Sequence, residues 1–74
     1  MIRTPVVSSS IAGIGYSADS AVLEVEFRNG GVYQYLNVRS ETFDGVMTAS
    51  SKGQYVNSAI KGRHDFRRVV AEQR

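Results

Sequence analysis

The most regular pattern along the chain is an alternation of apolar and acidic residues at positions 21–27, where Glu24 and Glu26 stand between apolar neighbours. A two-residue period of this kind predicts a strand with one buried face. A weaker alternation at 11–16, interrupted by two glycines, predicts the strand before it. The apolar and aromatic run at 32–36 predicts the strand after it.

The dipeptide Asn29-Gly30, which separates the last two predicted strands, favours a hairpin because both residues tolerate positive φ. Two registers are open. A two-residue loop places Phe27 opposite Val32 and leaves the tyrosines of the returning strand on the exposed face with the glutamates. A three-residue loop ending in a bulge at Gly31 instead gathers one apolar and aromatic face, which consists of Leu23, Val25, Phe27, Tyr33 and Tyr35.

We favour the three-residue loop because it separates the large apolar side chains from the charged ones. It also gives Gly31 a role, since a bulge residue with positive φ is best without a Cβ atom. A contact between Val25 and Tyr35 would support this register, whereas a contact between Val25 and Gln34 would support the shorter loop.

Two short helices are predicted in the second half of the chain. Ser40 is the predicted N-cap of a helix at 41–49, which has a short apolar stripe and is weakened by Gly45. A second helix is predicted at 50–61, and Gly62 suits the left-handed conformation that ends a helix.

A chain of 74 residues sustains one modest core, because a domain of this size buries only about 60% of the surface that its unfolded form exposes. The expected fold is α+β, with a three-stranded antiparallel meander packed against two short helices in one domain spanning residues 1–74, and with a partly disordered tail at 67–74.

The chain lacks a run of about 20 apolar residues and a signal-peptide core, so we expect a cytoplasmic protein that does not cross a membrane. We assume a monomer.

Residues able to support catalysis or metal binding are few. The chain has no Cys, and His64 has no second His with which to complete a zinc site, so a surface or capping role is expected for it. The serines at 8–10 have no placed base, and Glu24 and Glu26 form the polar half of a strand pattern. The Gly-Ile-Gly at 13–15 lacks the Lys and Ser or Thr of a phosphate-binding loop. We therefore expect no enzyme activity, no cofactor and no metal.

The positive charge of the chain is concentrated late in the sequence. The net charge is only +2, but residues 52–68 carry five bases and one acid, Asp65, for a net charge of +4. Cations that contact phosphates, together with rings that stack on bases, are what RNA binding requires. The candidate phosphate-binding residues are Lys52, Lys61, Arg63, Arg67 and Arg68, and the candidate stacking residues are Tyr33, Tyr35 and Tyr55.

The favoured hairpin register places Tyr33 and Tyr35 in the core, which indicates a structural role for them, since each aromatic ring buries roughly 150–250 Å². The alternative function is a protein-interaction module that uses a sheet edge or an apolar patch, without nucleic acid. The dependence of binding affinity on salt concentration distinguishes the two functions. Affinity that comes from phosphate contacts falls steeply as the salt concentration rises, whereas affinity that comes from strand pairing changes much less.

Four motifs occur in a specific order along residues 8–66. They are SSIAGIGY at 9–16, LEVEFRNGG at 23–31, YQY at 33–35, and SKG with YVN and Ile60 at 51–60. In this order they resemble the KTSC domain family, which occurs at the C-terminus of certain lysyl-tRNA synthetases and as stand-alone bacterial proteins. The family's function is not established, and RNA binding has been suggested for it, so the resemblance implies RNA as a candidate partner. Arg39 and the stretch 63–66 depart from the family's usual proline-containing pattern.

Overall fold

An antiparallel sheet with helices on one face makes up the computed structural model, which describes residues 2–69. The elements are β1 (Thr4–Pro5), β2 (Ile11–Ser17), β3 (Val22–Phe27), β4 (Val32–Tyr35), α1 (Ser40–Thr48), α2 (Lys52–Tyr55), a π-helical continuation of α2 (Val56–Ile60) and β5 (Phe66–Val69). The strands pair in chain order. We call the side of the sheet against which the helices pack the helix face, and the other side the open face. No helix within residues 2–69 is long and apolar enough to cross a membrane.

The α+β class and the two helices on an antiparallel sheet are confirmed, but the predicted number of three strands is wrong, since the sheet has five. The additional strands lie at the two edges and give little periodic signal. β1 has two residues, one of them a proline, and all four residues of β5 are exposed. Residues 67–69, expected in the tail, belong to β5, whereas residues 70–74 lie outside the described residues.

The hairpin between β3 and β4 has a three-residue loop, as predicted, but the loop spans residues 28–30 and does not end at Gly31, because the N–H of Phe27 donates to the carbonyl of Gly31 over 2.8 Å. Leu23 pairs with Tyr35 and Val25 pairs with Tyr33, so these four side chains share the helix face as predicted. The predicted register, which places Val25 against Tyr35, is nevertheless wrong by two residues. The position of the left-handed residue was predicted wrongly, because Gly30 and not Gly31 has positive φ, at 98°. Gly30 closes the turn by donating its N–H to the carbonyl of Phe27 over 3.0 Å.

A β-bulge in β2 allows two isoleucines three positions apart to face the same core. The register against β3 shifts between Ile11 and Gly13, so that Ile11 pairs with Phe27 while Ile14 pairs with Val25. Without the extra residue, Ile11 and Ile14 would point to opposite faces of the sheet. Both are fully buried.

The core lies between the helix face and the helices. Its buried members are Ile11, Ile14, Leu23, Val25, Tyr35, Val38, Val46, Val56 and Ile60. Helix α1 contributes Val46, and the π-helical turn contributes Val56 and Ile60. Because the helical elements are short, most of their stability comes from this packing and little from helix propensity.

The predicted helix ends are partly correct. Ser40 is the first residue of α1 and not its N-cap, and the N-cap residue Arg39 makes no side-chain capping bond. Ser51 does cap α2, since its hydroxyl accepts from the N–H of Gln54 over 3.4 Å. After the π-helical turn, Gly62 adopts a φ of +80°, the left-handed conformation that the sequence predicted at the helix end.

Candidate nucleic-acid interface

An aromatic cluster covers the part of the helix face where β4 pairs with β5. Phe66 pairs directly with Tyr35, and its ring centroid lies 5.9 Å from that of Tyr35 and 5.7 Å from that of Tyr33. Tyr35 is only 3% exposed, whereas Phe66 is 60% exposed. Phe66 therefore presents the cluster to solvent.

Two concavities meet at Phe66. One, of about 300 Å³, is lined by Tyr33, Tyr35, Lys61, Gly62 and Phe66. The other is lined by residues 62–66, which include Arg63, and shares Gly62 and Phe66 with the first. The ammonium of Lys61 lies 5.3 Å from the centroid of the Phe27 ring, a cation–π distance that holds this charge near the aromatic cluster.

Two of the five predicted cations line these concavities, and a third lies on the same face of the sheet as Phe66. Lys61 and Arg63 line them, and Arg68 pairs with Tyr33 and therefore projects from the helix face. We call Lys61, Arg63, Phe66 and Arg68 the Phe66 site. Ion pairs within the described residues involve Arg3 and Arg39, and none involves a cation of the Phe66 site.

The other two predicted cations lie elsewhere. Arg67 projects from the open face, where its Nε donates to Oε1 of Gln34 over 2.8 Å. Lys52 donates from Nζ to the carbonyl of Ala49 over 3.2 Å, at the junction between the helices. The predicted set of five therefore does not form one surface, because Arg67 and Arg68 are adjacent in a strand and point to opposite faces, and because Lys52 lies at the helix junction.

Arg67 belongs to a polar network that crosses the open face. Glu24 is 6% exposed, and its carboxylate accepts from Arg3 over 3.0 Å and from Gln34 over 2.7 Å. Gln34 in turn accepts from Arg67. Glu26 also faces Arg3, at 3.4 Å. These hydrogen bonds satisfy the buried carboxylate of Glu24. They also connect Arg3 and Arg67, which lie near opposite edges of the sheet, through the two strands between them.

The three tyrosines proposed for base stacking are all placed in packing contacts. Tyr35 is buried, and Tyr33 and Tyr55 are half-buried. Tyr55 reaches under α1, where its ring and hydroxyl lie against the backbone of Gly45. Phe66 is the exposed ring that the sequence did not single out, although its position among Lys61, Arg63 and Arg68 was a usable signal.

Burial gives Tyr35 a measurable titration. Loss of solvent raises the pKa of its hydroxyl above the ordinary value of 10.0, and the neighbouring Tyr33 raises it further. The folded state therefore keeps this proton at a pH at which the unfolded chain releases it. The resulting stability is fully present below about pH 10 and is lost as pH rises through the folded-state pKa.

We expect Tyr35→Phe to reduce this loss of stability at alkaline pH, because Phe has no proton to release. Urea unfolding of both proteins between about pH 9 and 11.5 measures the effect. The free energy of unfolding of the wild type should fall more steeply above about pH 10 than that of Tyr35→Phe. Parallel curves for the two proteins would show that Tyr35 does not cause the pH dependence.

His64 has a structural position. Its Nδ1 lies 3.0 Å from the carbonyl oxygen of Leu36, and because a carbonyl can only accept, Nδ1 carries the proton. This bond ties the segment after the helices to the end of β4. In residues 2–69, no group of three or more His, Asp or Glu side chains is placed to hold a metal ion.

Comparisons with known proteins place the chain in a family. The model of the KTSC domain matches residues 7–64. A protein from Tsukamurella paurometabola is 40% identical over 66 residues, which cover 89% of this chain and 96% of that protein. The crystal structure of a KTSC domain protein from Yersinia pestis is 42% identical, with a TM-score of 0.90 and coverage of 93% of this chain and 97% of that one. A lysine–tRNA ligase from Nostoc punctiforme is 34% identical over 61 residues, which cover 82% of this chain and 11% of that enzyme. These matches confirm the resemblance seen in the motifs, and the chain belongs to the KTSC domain family.

Proposed function

We propose that this chain is a non-catalytic RNA-binding module that contacts phosphates through the Phe66 site. The observation that carries the proposal is an exposed aromatic ring with two cations lining the concavities beside it and a third on the same face of its strand, none of which has an acidic partner within the described residues. Cations without such partners are available to phosphate oxygens without first losing an ion pair. The matching segment in a lysine–tRNA ligase, an enzyme named for a tRNA substrate, agrees with an RNA partner.

The proposal assigns different roles to two adjacent arginines. Arg68 lies on the helix face beside Tyr33, whereas Arg67 lies on the open face and is bonded to Gln34. The two residues carry the same charge and occupy the same strand. Arg67 is therefore a matched control for Arg68, because only Arg68 lies on the face that carries the Phe66 site.

Fluorescence polarisation with a labelled single-stranded RNA, measured at several salt concentrations, tests this assignment. We expect Arg68→Ala to weaken binding several-fold and to reduce the slope of log affinity against log salt by about 0.7, the value for one lost phosphate contact. Arg67→Ala should change the slope little. The double variant Arg63→Ala/Arg68→Ala should lose about twice as much slope as Arg68→Ala alone.

Two results would contradict the proposal. Equal losses in Arg67→Ala and Arg68→Ala would indicate attraction by net charge without a site. Absence of salt-dependent RNA binding in the wild type would reject RNA binding altogether. Circular dichroism and thermal unfolding of each variant show whether the fold is intact, which we expect because all three arginines are exposed.

The rival function, protein interaction at a sheet edge, has one specific observation in its favour. β5 is the last strand of the sheet, and all four of its residues are exposed. Pairing of β5 with the same strand of a second copy is unfavourable, however, because antiparallel registers centred on Arg67 and Arg68 bring arginines opposite each other. If the chain acts only through this edge, the same titrations should show no salt-dependent binding of RNA.

A further inference from the structure

We infer that the 300 Å³ concavity beside Phe66 receives one unpaired nucleobase, so that the chain binds single-stranded RNA in preference to a double helix. This inference rests on the proposed function and deepens it, because phosphate contacts alone do not distinguish paired from unpaired RNA. In this arrangement the base stacks on the aromatic cluster, and the nearby cations contact the adjoining phosphates.

The shape of the concavity suits a flat ring. The rings of Tyr33 and Phe66 meet at an interplanar angle of 80°, so they form two walls of a corner. A base stacked on the exposed side of Phe66 would direct its edge toward Tyr33. The volume of about 300 Å³ is at the lower end of the range for small-molecule sites, which suits one heterocyclic ring system and excludes a long segment.

Two cations border this corner. Lys61 lines the concavity itself and is held by its contact with the Phe27 ring. Arg63 lines the neighbouring concavity. Gly62 and Phe66 line both concavities, which therefore adjoin at these residues. A base on Phe66 therefore leaves its sugar–phosphate chain within a region that Lys61 and Arg63 border.

The side chains around the concavity favour stacking over base-specific hydrogen bonding. Three of the five residues that line the concavity are aromatic. Stacking tolerates every base, since each has a π-face. Stacking on a protein ring does require a base that is not already stacked on its neighbours, and the bases inside an RNA duplex are stacked and paired.

The test compares three RNA probes of equal length by fluorescence polarisation: a mixed-sequence single strand, the same strand with abasic sites, and its duplex. The wild type should bind the single strand about 10-fold more tightly than the abasic strand, as expected for the stacking of one base. Phe66→Leu should remove most of this preference while the salt slope is retained, because the cations are unchanged.

Val69→Ala is the matched control, since Val69 is a partly exposed apolar residue of the same strand that pairs with Val32 and lies on the open face. It should keep the preference for bases. Equal binding of abasic and intact strands, or of duplex and single strand, would overturn the inference while salt-dependent phosphate binding remained. A preference that survives in Phe66→Leu would also overturn it. Absence of binding to all three probes would reject the proposed function itself.

Discussion

Replacement of Tyr35 by Ala is expected to lower the free energy of unfolding by about 3–5 kcal/mol, the range for truncation of a large buried aromatic side chain. Tyr35 is 3% exposed and belongs to the core formed by the helix face and the helices. It pairs with Leu23 on one side and with Phe66 on the other. Its removal leaves a cavity at the point where the hairpin meets β5.

Urea unfolding followed by circular dichroism measures this loss. Small domains have a total stability near the lower end of about 5–15 kcal/mol, so Tyr35→Ala can approach complete unfolding. Tyr35→Leu keeps part of the apolar volume and should fall between the wild type and Tyr35→Ala. A loss below about 1 kcal/mol in Tyr35→Ala would contradict the core position and would favour the surface role considered for this residue from the sequence.

Replacement of Gly45 by Ala is expected to destabilise the protein by about 1–3 kcal/mol, the usual cost of overpacking. Without tertiary contacts, the same change inside a helix would stabilise by about 1 kcal/mol. The sign reverses because an added Cβ would overlap the hydroxyl of Tyr55 and would lie 2.7 Å from its Cζ atom. The glycine that weakens the helix pattern is thus the residue over which the Tyr55 ring packs.

A double-mutant cycle tests the cause of this effect. In a Tyr55→Ala background the obstructing ring is absent, so Gly45→Ala should now stabilise by about 1 kcal/mol. Urea unfolding of the four proteins gives the coupling free energy between the two positions. Destabilisation by Gly45→Ala of equal size in both backgrounds would exclude contact with Tyr55 as the reason.

The position of Tyr55 also bears on function. A ring that packs over Gly45 cannot offer its face to a base without disturbing the contact between the two helices. Tyr35 is excluded more strongly, because it is buried. Among the described aromatic residues, Phe66 combines exposure with neighbouring cations. The proposed RNA contact therefore depends on a residue for which no periodic pattern predicted a role.

The central hairpin could be predicted from local patterns because its information is local. Two-residue alternation identified β3, and the separation of Leu23 and Val25 from Glu24 and Glu26 identified the face that packs against the helices. The register against β4 was predicted two residues away from the observed one, because a shift of two leaves the same side chains on each face. The edge strands gave no comparable pattern. β1 is too short to show a period, and β5 has apolar residues only at its two ends.

The sequence alone determined the three central strands, the buried face of the hairpin, the two helical segments and the family resemblance, since each depends on residues close together in the chain. Only the tertiary structure decided which cations share a surface. Pairing of β5 with β4, about thirty positions earlier, sends Arg67 to the open face and Arg68 to the helix face, and it places Phe66 against Tyr33 and Tyr35. The physical reason is that a strand alternates its side chains between two faces, and the face that each takes is set by a partner that local patterns do not identify.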